Sequence, residues 1–134
     1  MNASSFLLLR LAVGMSFFGH GVVRMPKLEA FSGWMVKSFE NSMLPEMLVL
    51  PFSYFLPIAE LVIGLFILLG LFTRLSLIFG AAVTIMLLFG SSMIESWDAI
   101  PSQLIHVAFF AVLLHFLPSN RYSFDHIFRK NPVS

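Results

Sequence analysis

The chain has no cysteine among its 134 residues. Disulfides, a dithiol electron relay and cysteine-ligated clusters are therefore beyond its own side chains. Thiol-oxidase chemistry of the four-helix disulfide-forming type is excluded as an intrinsic activity, although a partner could bring the sulfur. Charge is nearly as scarce: Asp, Glu, Lys and Arg make up 11% of the residues, against about 25% in a soluble domain. The net charge of +1 comes without a basic stripe, so nucleic acid is not an expected partner. A cleavable signal is missing too. Met1 to Ser5 carries no Lys or Arg, and no small-x-small site with a polar segment behind it follows the first apolar run. That run is therefore expected to remain as a permanent span.

What is present is hydrophobic, 58% of the chain, with 16 phenylalanines. Such a composition belongs in a lipid bilayer, where each helical span takes about 20 apolar residues. The expected fold class is all-α: a polytopic membrane protein, a four-transmembrane-helix bundle forming one domain over residues 1–134. The spans are expected at about 6–23, 52–72, 75–93 and 102–117. Pro26 ends the first, because proline lacks an amide donor and pushes its predecessor out of helical geometry. The segment 27–50 is too polar to span. Its Leu28, Phe31, Met35 and Phe39 fall at three- and four-residue steps beside Trp34, which predicts an interfacial helix broken up by Pro45 and Pro51. Thr73 and Arg74 make a tight turn. Ser76, Gly80 and Thr84 put a small-residue face on the third span, suited to close helix packing. A polar tail occupies 119–134.

An even number of spans places both termini on one side, with Arg74, Arg121, Arg129 and Lys130. Arg24, Lys27 and Lys37 lie opposite, mostly in a longer loop where charge bias counts for less. The expected orientation is both termini cytoplasmic, in a bacterial inner membrane.

Three pieces of sequence carry a family resemblance. Arg10 stands early in the first span, followed by Gly14. That span leaves the membrane as His20-Gly21-Val22-Val23-Arg24, ahead of Pro26-Lys27-Leu28. The second begins its core at Glu60-Leu61-Val62-Ile63-Gly64 and runs to Leu69-Gly70-Leu71-Phe72-Thr73-Arg74. The chain resembles the DoxX/DoxD family of small four-helix membrane proteins, well over spans one to three and weakly over the fourth. Where many relatives would carry lysine, this chain has Arg24, which keeps the charge and changes the donor geometry. The resemblance implies a four-helix bundle acting as a membrane subunit of a redox complex. Some relatives look like parts of thiosulfate:quinone oxidoreductases, others like partners of thiol-handling or amine dehydrogenase systems. No catalytic residue set comes with it.

The polar residues inside the spans are sorted by depth. With span centres near Gly14, Ile63 and Phe109 and about 1.5 Å of rise per residue, Arg10 lies about 6 Å to the terminal side of the midplane and Glu60 about 5 Å to the other. A structural Arg10–Glu60 ion pair across that gap is expected to fix helix register. On the same arithmetic His20 lies about 9 Å and His106 about 5 Å to the side of Glu60, with Gln103 one turn further out. His20, Arg24, Glu60, Gln103 and His106 are thus expected around one polar pocket in the outer half, whereas His115 faces away from His106. For a quinone or quinol site, the quinone head needs hydrogen-bond donors to its two carbonyls and a carboxylate or imidazole to carry protons, bounded by aromatic and aliphatic walls. The polar set supplies the first two, and Phe17, Phe18, Phe55 and Phe109 are the expected walls. Four histidines in three regions, with no paired ligand motif, argue against haem or a metal.

The function expected is therefore an integral membrane subunit of a quinone-linked redox complex, not active alone, with lipid and either other subunits or further copies of itself as partners. The competing class is a non-enzymatic scaffold that anchors a larger complex through the Trp34 segment and its phenylalanine-rich surface.

Overall fold

The computed structural model describes residues 1–130, so the last four residues of the expected tail lie outside it. The described residues are helical, without strands. α1 runs from Ala3 to Arg24, α2 from Leu28 to Phe39, α3 from Glu46 to Leu69, α4 from Thr73 to Met93, α5 from Ile100 to His115 and α6 from Phe124 to Lys130. Four helical stretches are long and apolar enough to cross a membrane: α1 with its continuation into α2, then α3, α4, and α5 with the turn before it.

Local chemistry sets these boundaries. Asn2 caps α1 by accepting the Ser5 amide at 2.7 Å, satisfying one of the donors a helix start leaves free. Pro26 opens a single 3₁₀ turn over Met25–Lys27 and bends the chain into α2 instead of ending it in a loop, since a proline is tolerated where its amide has no partner to lose. α3 closes with Gly70 at φ 69°. The Leu71 amide reaches back to the Phe66 carbonyl at 2.9 Å and the Gly70 amide to Ile67 at 3.2 Å, the Schellman arrangement for which glycine is the usual residue.

Two expected boundaries move. Residues 46–50, assigned to the interfacial segment, form the start of α3, and Pro51 sits inside that helix. The carbonyl Pro51 leaves without an intrahelical donor is that of Met47, in an exposed first turn, where water can serve it. The turn expected at Thr73 and Arg74 is made by Gly70, Leu71 and Phe72, and Thr73 already begins α4.

The bundle is built on the pair α1 and α3. A Cβ at Gly21 would stand 2.5 Å from the Leu61 amide nitrogen, and one at Gly64 would collide with the Phe18 amide nitrogen. The two backbones touch, as small residues permit in a membrane where packing, not hydrophobicity, holds helices together. α2 folds onto α3 through a buried Ser32–Ser53 hydroxyl pair at 2.6 Å, with the Ser53 hydroxyl donating to the Leu50 carbonyl. Beside it Met35, Val49, Leu56 and Val83 form the outer core cluster. The inner cluster gathers Phe6, Val13, Phe17, Ile67, Leu77 and Phe110.

α4 meets α5 along its small face. Ser76, Gly80 and Thr84 are all buried, and a Cβ at Gly80 would come within 2.7 Å of the Phe110 ring. That ring has no exposed surface to swing into. Gly80→Ala is accordingly expected to lower stability by about 1–2 kcal/mol after allowing for alanine's better helix propensity. Thermal unfolding in detergent measures it.

Candidate functional site

The α1–α3 contact aligns one polar residue from each helix. Arg24 stands one turn beyond Gly21, and Glu60 directly precedes Leu61, so the closest approach of the backbones lies beside both. Arg24 Nη1 donates to Glu60 Oε2 at 2.8 Å. The Glu60 side chain is 5% exposed and that of Arg24 26%, which puts the carboxylate inside the bundle and the guanidinium at its mouth. The Arg24 guanidinium also lies over the Phe31 ring, 4.5 Å from its centroid, a cation–π contact from α2 that holds it in place.

This is a correction to the expected Arg10–Glu60 pair. Arg10 is 3% exposed, but it faces the terminal side. Its Nη1 donates to Asn120 Oδ1 at 2.7 Å, and Asn120 Nδ2 donates to Thr73 Oγ1 at 3.0 Å. The chain of bonds ends at Asp125, whose carboxylate accepts from the Phe72 amide, the Thr73 amide and the Thr73 hydroxyl at 2.8, 2.8 and 2.7 Å. Depth alone did not separate the two arginines. Both backbones stand about 10 Å from Glu60 along the bundle axis on a 1.5 Å rise, and the helix contact settles which one reaches it.

Two histidines complete the outer set, joined by Ser16, a residue the sequence reading passed over. The Ser16 carbonyl lies 2.6 Å from His20 Nδ1, and its hydroxyl 2.7 Å from His106 Nε2. His106 Nδ1 in turn meets the Ser102 carbonyl at 2.7 Å. A carbonyl can only accept, so both rings carry a proton on Nδ1. His106 Nε2 meets the Ser16 hydroxyl, while His20 Nε2 has no partner among the described residues. The one available signal for Ser16 was its place four residues before His20, on the same helix face. Gln103 Nε2 donates to Ser91 Oγ at 3.0 Å; its Oε1 is buried with no partner among the described residues.

Arg24, Glu60, His20, His106 and Gln103 line a single cavity of about 370 Å³, within the range of about 300–1,000 Å³ typical of small-molecule sites. The opposite walls differ from those expected. Phe17 contributes, but the other aromatic rings come from Phe31, Trp34, Phe39 and Phe52. Phe18 and Phe109 are only half-buried and Phe55 is exposed; none of the three lines the cavity. The interfacial helix α2 supplies most of this aromatic wall, Phe31, Trp34 and Phe39, because it folds over Ser53 of α3. His115 lies at the other end of α5, exposed and edge-on to Phe116 at 4.7 Å.

Chemically, the cavity combines a buried carboxylate already holding one arginine, two histidines in the same lining, and an aromatic face opposite. Glu60 Oε1 and the buried Gln103 Oε1 are acceptors left without a donor among the described residues, while the remaining N–H groups of Arg24 stand at the mouth.

A family model described as DoxX matches residues 5–93, while no curated protein and no solved structure matches the chain. His20, Arg24 and Glu60 lie inside the matched stretch, and Gln103 and His106 lie beyond it.

Proposed function

The chain belongs to the DoxX family of membrane proteins, and on that premise we propose that its outer-half cavity holds the head group of a quinol, within a membrane subunit of a redox complex. The observation that carries this reading is the pair of acceptors in an aromatic-walled hollow, the buried Gln103 Oε1 with no partner among the described residues and the second carboxylate oxygen of Glu60, which Arg24 leaves free. Buried acceptors are costly to leave unmet. A ligand with two hydroxyl donors on a flat ring meets them, and the reduced form of a quinone is such a ligand.

A bound quinol supplies two electrons and, from its hydroxyls, two protons. The electrons pass to a redox centre of a partner subunit, since no residue of this chain is suited to take them. Glu60 and His20 are placed to receive the protons. Arg24 holds Glu60 in position from the mouth, and the Ser16 carbonyl fixes the His20 ring through Nδ1. The aromatic residues of α2 keep water from the ring face. In this reading the cavity opens to the outer side of a bacterial inner membrane, with both termini cytoplasmic.

Glu60→Gln tests the reading, because it preserves volume and removes the charge. Expected is a loss of quinol affinity of at least tenfold, read by titrating purified protein with a benzoquinol, while the variant still elutes as a folded species. His20→Gln should weaken binding in the same direction without touching the ion pair. Failure of the wild-type protein to bind any quinol would remove the proposal.

A second reading, a scaffold for a larger complex, has its own support. α5 buries only Phe110 and Leu113 fully, making it the least covered of the spans, and its outward side could seat a partner subunit or another copy of the chain. Co-purification of a stable assembly that survives Glu60→Gln and never contains quinone would favour it.

A further inference from the structure

We propose that the ligand of the outer cavity is lipid-borne, entering sideways from the bilayer past α1 and leaving its apolar tail in a groove formed by Met15, Ser16, Gly19 and Val23. The proposal rests on the quinol reading for the head group and adds the ligand's tail and its route.

A second hollow, of about 490 Å³, lies along the outward side of α1. It shares His20 and Arg24 with the head-group cavity, so only these two side chains separate it from the space where the head group would lie. Met15 and Val23, 57% and 59% exposed, form its apolar rims. Gly19 is its floor. A Cβ there would meet no atom within 4 Å, unlike Gly14, Gly21 and Gly64, whose missing side chains are required by a facing helix. Helix packing gives Gly19 no purpose, and its absent side chain leaves a shallow, open trough along this face of α1.

Depth fixes the occupant. From the middle of α1, Met15 stands about 2 Å and Val23 about 14 Å toward the outer side, at 1.5 Å per residue. The groove therefore runs from the outer end of the span down to the bilayer centre. A head group at His20 and Arg24 would send a tail along it into the hydrocarbon, where an isoprenoid or alkyl chain belongs. A water-soluble ligand would enter at the mouth and leave this path unused. The Ser16 carbonyl at the groove is already taken by His20, so the path offers no unmet polar group to an apolar chain.

The test uses the full chain in nanodiscs and two ligands, benzoquinol without a tail and the same ring bearing a decyl chain, with affinities corrected for partition into lipid. Wild-type protein is expected to bind the decyl ligand at least tenfold more tightly than the bare ring. Gly19→Leu fills the groove at a position with open space around it, and should bring that ratio close to one. Gly33→Leu, an equally open position on α2, should keep the wild-type ratio. An unchanged ratio in Gly19→Leu, or equal affinities in the wild type, overturns the lateral route while leaving the head-group site intact. Binding of neither ligand to the wild type overturns both. A phospholipid that stays in the groove through purification and that neither ligand displaces overturns the assigned occupant.

Discussion

Gly64→Ala is expected to cost at least about 3 kcal/mol, or to prevent recovery of folded protein, although it adds a single carbon. The new Cβ would collide with the backbone nitrogen of Phe18 and stand 3.0 Å from the Gly14 carbonyl oxygen. Side chains relax around an extra methyl group by changing rotamer, but a helix backbone cannot. α1 would have to move away from α3 as a rigid rod, giving up the packing that holds a membrane bundle together. The shift would also separate Arg24 from Glu60, whose 2.8 Å contact depends on the Gly21–Leu61 approach one turn away. Gly33→Ala has no neighbour within 4 Å and should leave the melting temperature unchanged or slightly raised, alanine being the better helix former. Thermal unfolding of the pair in one detergent measures the difference. Comparable melting temperatures would mean that the helices do not touch at Gly64.

The same contact shows what the sequence could and could not disclose. The spans were legible because a stretch of about 20 apolar residues has few alternatives in lipid. So was the small face of α4, where Ser76, Gly80 and Thr84 repeat every fourth residue. Depth, read from residue number alone, brings His20, Glu60, Gln103 and His106 into the outer half with Arg24 at its rim, and all five line one cavity. What residue number does not contain is the rotation of one helix against another. For that reason Arg10 was matched with Glu60, while the glycines that set the rotation were visible only as packing residues. Phe18, Phe55 and Phe109, three of the four expected aromatic walls, fail for a related cause. α2 looked like a helix floating in the interface, and its fold onto α3 depends on the Ser32–Ser53 bond, a pairing across two segments that no local pattern announces. The tail was the largest omission. Asp125 is the only acidic residue on the terminal side of the membrane, and that alone made it the natural counter-charge for Arg10. Reading the tail as merely polar hid the connection.

Asp125→Ala is therefore expected to be among the most damaging changes outside the helix contacts, at about 3 kcal/mol. Its carboxylate accepts three hydrogen bonds from Phe72 and Thr73 across more than 50 residues of sequence, and bonds to a charged group contribute about 1.5–3 kcal/mol each without adding fully. Two effects of the substitution reinforce each other. The start of α4 loses its cap, just where Phe72 is held at φ 44°, a backbone conformation that a bulky residue keeps only under constraint. Arg10 loses the negative end of the bond chain that runs through Asn120 and Thr73, and a buried charge without compensation is costly. A second substitution separates these effects. Arg10→Met removes the charge and roughly keeps the volume, and the double-mutant cycle subtracts its own cost. In that background Asp125→Ala should cost clearly less, by about 1 kcal/mol or more, because only the cap remains to be lost. Unfolding of the four proteins of the cycle, with limited proteolysis after α6 as a second readout, decides the matter. Equal costs of Asp125→Ala in both backgrounds would mean that Asp125 serves the α3–α4 turn alone, and that the charge of Arg10 is met by Asn120 and the carbonyl of Leu68, 3.5 Å from its second terminal nitrogen.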